Sequence, residues 1–439
     1  MKKLLVFKLF DYVLFSCVII LVGIGILFIY SSSVNAQGVS VSNEYIRQII
    51  FAISGIFLMM LCAVFDYRKY MRFIPTLFGL YIFVLLLTLV FGRVVNGAKS
   101  WIGIGAFSLQ PSELGKIAFI LFFAWFLDKS QNMAPFKRFI YAGITVGIPF
   151  CLILIQPDMG TSSVYLPIFL AMAFVAGISL RYLLFLITIG VGTILFTLLP
   201  IINTEILNDT IPFARVLTNT KLLLIIIAGL VAITVVGIVG YVLYKKKFYY
   251  WLSWAFAALT MCFVGSVAAG VVLKEYQIMR LIVFLNPDID PLGSGWNIIQ
   301  SKIAIGSGGA FGQGVLQGTQ SHLRFLPQQS TDFIFSIIAE EIGFFGVFFI
   351  FTLFGIFFFR IIHIMKNTKN RYGYYIVAGI FAMFFFHFMV NVGVAMGLMP
   401  ITGIPLFFLS YGGSSLWTAM ISVGLLKNIY FRRLDYNEY

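Results

Sequence analysis

Twelve long apolar runs recur along this chain, near residues 10–31, 47–65, 73–91, 112–127, 139–156, 162–179, 182–201, 222–243, 250–273, 333–359, 372–396 and 404–426. Most approach the roughly 20 residues that a helix needs to cross a hydrocarbon core of about 30 Å. Of the 439 residues, 61% are hydrophobic and only 10% charged, which leaves too little polar surface for a water-soluble domain. The expectation is an all-α polytopic membrane protein: a bundle of about twelve transmembrane helices, forming a single membrane domain over 1–439. Charges precede the first run and no small-residue cleavage site follows it. It therefore reads as a spanning helix rather than a removed signal.

A net charge of +14 would suit a nucleic-acid partner, but the placement of the charges argues otherwise. They form short clusters between apolar runs, such as MKK at the start, YRKYMR at 67–72 and KKK at 245–247. Cytoplasmic loops look like this under the positive-inside rule, so no nucleic-acid partner is expected. An N-terminus placed inside assigns 20 of the 30 Lys and Arg residues to inside segments, at least one in every inside loop. Both termini are therefore expected in the cytoplasm. Cys17, Cys62, Cys151 and Cys262 lie in apolar runs without paired spacing, and read as small helix fillers.

That orientation puts residues 274–332 on the extracytoplasmic face. The centre of this segment, DIDPLGSGWNIIQSKIAIGSGGAFGQG at 288–314, mixes acids and glycines with apolar residues such as Trp296, Ile298 and Phe311. Disorder would need lower hydrophobicity and higher net charge, so a large ordered loop packed on the membrane domain is expected. Its cations are Lys274, Arg280, Lys302 and Arg324. The run GSGGAFGQG, at 306–314, either presents backbone N–H groups to an anion or supplies only turns.

Two polar stretches echo each other at predicted outer helix ends: QPSELGK at 110–116 and QPDMGT at 156–161. Pro111 suits a first helical turn, which places Glu113 and Lys116 on one face, either as a structural ion pair or lining a cavity. Asp158 suits an N-cap for a helix starting near 162, or a site carboxylate. Asp332 opens the tenth run, where a carboxylate complements the helix dipole. Glu340 and Glu341 follow inside that helix and point about 100° apart, so at most one is expected to face a central cavity. His387 and Asn391, four residues apart, read as interhelical hydrogen-bonding residues, and SYGGSS at 410–415, with Ser414, as a small-residue packing patch. Acids, cations and glycines gathered at the outer rim suit a ligand with an anionic head and a lipid tail.

Five stretches make the chain resemble a known family: NGAKSWIGIGAFSLQPSELGK, QPDMGTSSV, FLNPDIDPLGSGWNIIQSKIAIGSGGAFGQG, GTQSHLRFLPQQSTDFIFSIIAEEIGFFG and MGLMPITGIPLFFLSYGGSS. They are similar to the SEDS proteins (shape, elongation, division and sporulation), which are bacterial peptidoglycan glycosyltransferases. GTQ before FLP, and MPITGIPL before SYGGSS, look like the elongation type rather than the division type. The resemblance implies polymerisation of lipid II, a disaccharide-pentapeptide on undecaprenyl pyrophosphate, on the outer face of the cytoplasmic membrane. It implies release of undecaprenyl pyrophosphate, and a class B penicillin-binding protein and other elongation-complex membrane proteins as partners.

By the same resemblance, the family's essential loop aspartate matches Asp290, its QPSE-x-x-K residues match Glu113 and Lys116, and its QPD aspartate matches Asp158. Glycosyl transfer needs a base for the attacking hydroxyl and positive charge around the departing phosphates. Asp290 is the expected base. Lys116, Arg280 and Lys302 are the expected pyrophosphate ligands, with Glu113 orienting Lys116 and a divalent cation, Mg or Mn, as candidate cofactor. Asp332, Glu340 and Ser414 are secondary candidates.

Two features depart from the family pattern. The family has ten membrane helices, so the region from about 202 to 272 reads as an inserted helix pair. The family's FLPE is FLPQ here, with Gln328 in place of the acid. The rival functions are a flippase or transporter of lipid-linked precursor, which would favour charge at the bilayer midplane, and a non-catalytic scaffold of the elongation complex.

Overall fold

The computed structural model describes residues 11–35, 37–95, 97–104, 107–206, 211–273 and 275–434. In chain order the helices are α1 (Tyr12–Ser33), α2 (Glu44–Val64), α3 (Ile74–Phe91), α4 (Pro111–Lys129), α5 (Pro135–Ile155), α6 (Met159–Val175), α7 (Leu180–Glu205), α8 (Pro212–Thr218), α9 (Thr220–Tyr244) and α10 (Lys247–Val272). They continue as α11 (Glu275–Leu285), α12 (Ser294–Ser307), α13 (Thr319–His322), α14 (Ile334–Asn367), α15 (Arg371–Ala395) and α16 (Gly413–Phe431). Each of the first eleven apolar runs falls on a helix, and the twelfth does so only in part. Among the described residues, nine helices are long and apolar enough to cross a membrane. The runs outside those nine are α4, whose ends carry Glu113, Lys116, Asp128 and Lys129, the 17-residue α6, and α16.

The twelfth run is corrected. Residues 404–412 form no helix, and α16 begins only at Gly413. Pro405 lacks an N–H donor, and Gly403 and Gly412 have φ of +73° and +157°. A small sheet that periodicity did not reveal lies before α4. Strands β1 (Arg93–Val95), β2 (Ala98–Ile104) and β3 (Phe107–Leu109) pair antiparallel in the order β1-β2-β3.

The chain resolves into two compact units, one running through Gly177 and resuming at Trp296, the other covering Ile178–Gly295. In the first, α15 is the central helix: 72% of its membrane-length window is buried, against 22% for α2. It packs against α4, α6 and α14, while α2 lies on α16 and α1 on α14. Phe357, Phe384 and Phe408 fill the space between α14, α15 and the irregular 404–412 segment, with ring centroids 5.0 to 5.5 Å apart. In the second unit, α10 packs against α7 and α9 around Leu223, Leu230 and Phe263, with Phe196 stacked on Phe263 at 4.6 Å. The region read as an inserted helix pair, about 202–272, lies within this unit.

Candidate active site

Pro111 begins α4, and the first turn then carries a buried charge network. Lys116 is wholly buried and Glu113 4% exposed. The Lys116 Nζ donates to Glu113 Oε1 at 2.6 Å and lies 3.0 Å from His387 Nε2 on α15. The His387 Nδ1 is 2.9 Å from the Pro405 carbonyl oxygen. Behind this network the Tyr81 and Tyr165 hydroxyls meet at 2.7 Å, and Tyr165 donates to the Ser112 carbonyl at 2.9 Å. Gly115 lies flat against the Tyr81 ring, where a Cβ would overlap it. Ionised groups tolerate such burial only when paired and hydrogen-bonded.

The two Gln-Pro stretches meet. Asp158 caps α6, accepting from the Thr161 N–H at 3.0 Å and hydroxyl at 2.9 Å, and the Gln110 side-chain amide donates to it at 2.5 Å. The helix starts at Met159, three residues earlier than expected. The Gln110 backbone N–H donates to Ser414 Oγ at 3.1 Å. A Cβ at Gly160 would overlap the Thr402 carbonyl oxygen, so this end of α6 sits against the segment that leads to Pro405.

That segment is irregular and buried, so its backbone needs partners other than itself. Side chains supply many of them. Asn391 Nδ2 donates to the carbonyls of Asp332 and Ile404 at 3.0 and 2.9 Å, and Ser410 Oγ accepts from Leu406 N–H while donating to the Thr331 carbonyl. Gln48 of α2 donates to the Ser410 carbonyl and accepts from Gly412 N–H, both at 3.2 Å. Asp332 does not cap α14, which starts at Ile334 with Phe333 at the cap position.

The glycine run corrects the anion-cradle alternative. Its N–H groups at Gln313 and Gly314 donate to the Glu340 and Glu341 carbonyls at 2.9 and 3.0 Å, inside α14. In return Phe344 and Phe345 donate to the Gly309 and Ala310 carbonyls. The run is threaded into a break in α14 at Gly343, which has φ of +64°. A Cβ on Gly312 (φ +82°) would overlap the Glu341 carbonyl, and one on Gly343 the Gly312 nitrogen.

Glu340 and Glu341, expected to diverge, are both buried and both engaged. The chain between 313 and 322 wraps α14 widely enough to meet both directions. Glu340 accepts from Gln320 N–H at 2.7 Å, Ser321 N–H at 3.2 Å and the Thr319 hydroxyl at 3.2 Å. Glu341 accepts from Ser31 Oγ and from Leu316 N–H at 3.1 Å, with His322 Nε2 at 3.9 Å.

In the second unit, Asp290 ends a short 3-10 turn, Pro287–Ile289. Its carbonyl accepts from the N–H groups of Gly293 and Gly295 at 3.3 and 3.0 Å. Its carboxylate lies over Gly293, where a Cβ would overlap both oxygens, and a Cβ at Gly295 would overlap the Asp290 carbonyl. The glycine spacing of DPLGSG thus follows from the carboxylate and carbonyl folding back over two side-chain-free positions. Asp288 is exposed, and the half-buried Arg280 lies over the Tyr276 ring at 5.5 Å.

Comparison with known proteins adds a decisive observation. The family described as Cell cycle protein, covering FtsW, RodA and SpoVE, matches residues 11–206 and 202–434. This chain belongs to that family. It is 51% identical to the peptidoglycan glycosyltransferase RodA of Treponema pallidum over 97% of this chain and 98% of that protein. It is 30% identical to the peptidoglycan glycosyltransferase MrdB of Escherichia coli over 93% and 91% of the two chains. A chain of a solved peptidoglycan synthase complex, described as coordinating polymerization and crosslinking, superposes with a TM-score of 0.68 at 26% identity, covering 98% of this chain and 99% of that one. The RodA of Thermus thermophilus shares the fold at 22% identity, with a TM-score of 0.60 and 98% coverage of each chain.

Within this family fold, the first unit brings together Glu113, Lys116, Asp158 and Ser414 through Gln110, His387 and the 402–414 segment. Asp290 and Arg280 belong to the second unit. Lys302 is exposed on α12, with its ammonium end against Gly397, and Arg324 is exposed. Lys274 lies outside the described residues. Gln328, in place of the family acid, is exposed with φ of +51°, and its carbonyl accepts from Thr331 and Asp332 N–H groups. Sequence reasoning missed Gln110 and Gln48 as ligands of their neighbours. The signal for Gln110 was its place before proline in a repeated motif; Gln48 carries none.

Proposed function

We infer that this chain is a peptidoglycan glycosyltransferase of the elongation type, and propose lipid II as its substrate. One observation carries the chemistry: the Asp290 carboxylate lies over Gly293, a position without a side chain, at a half-buried turn. As general base, Asp290 takes the proton from the 4-hydroxyl of the acceptor GlcNAc. That oxygen attacks the donor sugar's anomeric carbon, the bond to pyrophosphate breaks, and undecaprenyl pyrophosphate leaves with the electron pair. A leaving group this acidic needs no protein acid, so one carboxylate suffices, unlike the pair used in glycoside hydrolysis.

Arg280, which reaches solvent and belongs to the same unit as Asp290, is assigned to the departing pyrophosphate. Lys116 is enclosed by Glu113 and His387, and acts from within the scaffold. Among the described residues no three His, Cys, Asp or Glu side chains gather as a metal donor set. A divalent cation, Mg or Mn, would supply positive charge to the departing pyrophosphate, and metal titration of polymerisation tests for it. The charge distribution supports a cytoplasmic-membrane location with both termini inside and Asp290 outside. Kinship to the synthase-complex chain supports a class B penicillin-binding protein as crosslinking partner.

The test is purified protein with lipid II, read as glycan polymer on a gel. Asp290→Ala is expected to abolish polymer while leaving thermal unfolding unchanged. A fully active Asp290→Ala protein sinks the assignment, and lipid translocation without polymer replaces it with a flippase.

A further inference from the structure

His387 lies on α15, wholly buried, 271 residues from Lys116 in sequence but 3.0 Å from its ammonium. Its protonation state follows from its neighbours. A carbonyl oxygen can only accept, so the Nδ1 facing the Pro405 oxygen at 2.9 Å carries the ring proton. The ammonium of Lys116, already donating to Glu113 at 2.6 Å, can only donate, so Nε2 carries a lone pair. Both contacts are met at once by a neutral imidazole in the Nδ1–H tautomer. The ring also stacks on Phe407 with centroids 4.0 Å apart, and the Lys116 ammonium lies 5.8 Å from that same ring. Pro405 and Phe407 both belong to the irregular segment between α15 and α16.

We propose that His387 is a positioning residue for the glycosyl-transfer reaction: a neutral imidazole that ties the Lys116–Glu113 pair to the 404–412 segment, so that ion pair and segment hold one geometry. It rests on the glycosyltransferase reading above. His387 touches no substrate; it acts through Lys116 and through the Pro405 carbonyl. The irregular segment has no helical ladder of its own, and its backbone is placed by the few buried side chains that reach it. Among the described residues, His387 is the one of these that also contacts the Lys116 charge.

Three variants separate the two halves of the role. His387→Phe keeps the stack on Phe407 and removes both polar contacts. His387→Asn keeps a donor near the Nδ1 position and removes the acceptor for Lys116. His387→Gln puts an amide oxygen near the Nε2 position and restores that acceptor. In lipid II polymerisation, the Phe and Asn variants are expected to lose about tenfold or more in kcat with KM nearly unchanged, and the Gln variant to recover most of the loss. A structural role alone predicts no advantage of Gln over Asn. Equal activity of the Gln and Asn variants, or wild-type turnover by His387→Phe, overturns the proposal. A second measurement needs no turnover. The chain has only three histidines, so ring-15N NMR of the full-length protein can assign each. The expected His387 signature is a neutral ring protonated at Nδ1 that changes in Lys116→Met. An Nε2–H tautomer, or an imidazolium, refutes the positioning role even if the wild type makes no polymer. A silent wild type with the expected tautomer instead places the failure in the substrate assignment.

Discussion

Removing the Lys116 charge probes the interior of this fold most directly. In Lys116→Met the shape of the side chain is roughly kept, but the Glu113 carboxylate, 5% exposed on its side chain, loses its cation at 2.6 Å. Breaking a buried pair from one side costs about 3–5 kcal/mol, because it leaves an uncompensated charge away from water. At 1.4 kcal/mol per factor of ten, that lowers the folded-to-unfolded ratio by roughly a hundredfold to a few thousandfold. Glu113→Gln is expected near the lower end, since His387 Nε2 still accepts from the ammonium. The double variant Glu113→Gln/Lys116→Met carries no buried charge at this site, and apolar or neutral replacement of a whole buried pair is often close to neutral. With the double variant near neutral, the cycle should therefore give a coupling energy of about 6–8 kcal/mol between the two residues. Denaturant titration of the four proteins in one detergent measures it. Single losses that simply add in the double variant refute the argument that each charge is tolerated only because of the other.

Two further perturbations follow from the packing. Gly312→Ala places a Cβ onto the Glu341 carbonyl at φ of +82° and is expected to cost about 2 kcal/mol or more; Gly306→Ala, six residues earlier on the exposed face of α12 with nothing within 4 Å, should be neutral or stabilise slightly. Equal thermal stability of the two variants would contradict the threading of the glycine run into α14. At the opposite end of α2, burial pushes the Asp66 carboxyl up, but hydrogen bonds from Arg68 and the Arg432 and Arg68 charges outweigh it and hold it below the usual carboxylate range. With the folded value below the unfolded one, the stabilisation is fully present above about pH 4 and is lost as pH falls through the folded value. Asp66→Asn should flatten that acid limb of a stability–pH curve; an unchanged limb rules the linkage out.

The sequence alone determined whatever depends on neighbours a few residues away. Apolar length placed eleven of the twelve helical runs and part of the last, charge clusters set their expected orientation, and Pro111 with Glu113 and Lys116 three apart announced the buried pair at the start of α4. Asp158 showed itself as a cap because capping is a contact between residues three apart. Resemblance of DPLGSG to the family's loop motif, rather than local pattern, pointed to Asp290, and the structure supplied the reason for its glycines.

Tertiary structure decided what depends on distant chain segments. No local pattern tells that residues 404–412, as apolar as a helix, remain irregular; that follows from Pro405 together with partners on α2, α14 and α15. The two adjacent acids of α14 looked incompatible with a single cavity. They are both satisfied because a separate stretch of chain wraps around that helix and brings donors to each. The glycine run, read as an anion cradle or as turns, gives its Gln313 and Gly314 N–H groups to a broken helix. His387 shows the division most sharply. From sequence it was one polar residue on an apolar face, and only the packing of α15 on α4 gives its imidazole a charge to hold. Helical periodicity is written in the chain, whereas the pairing of buried polar groups is fixed only when helices meet and water is excluded.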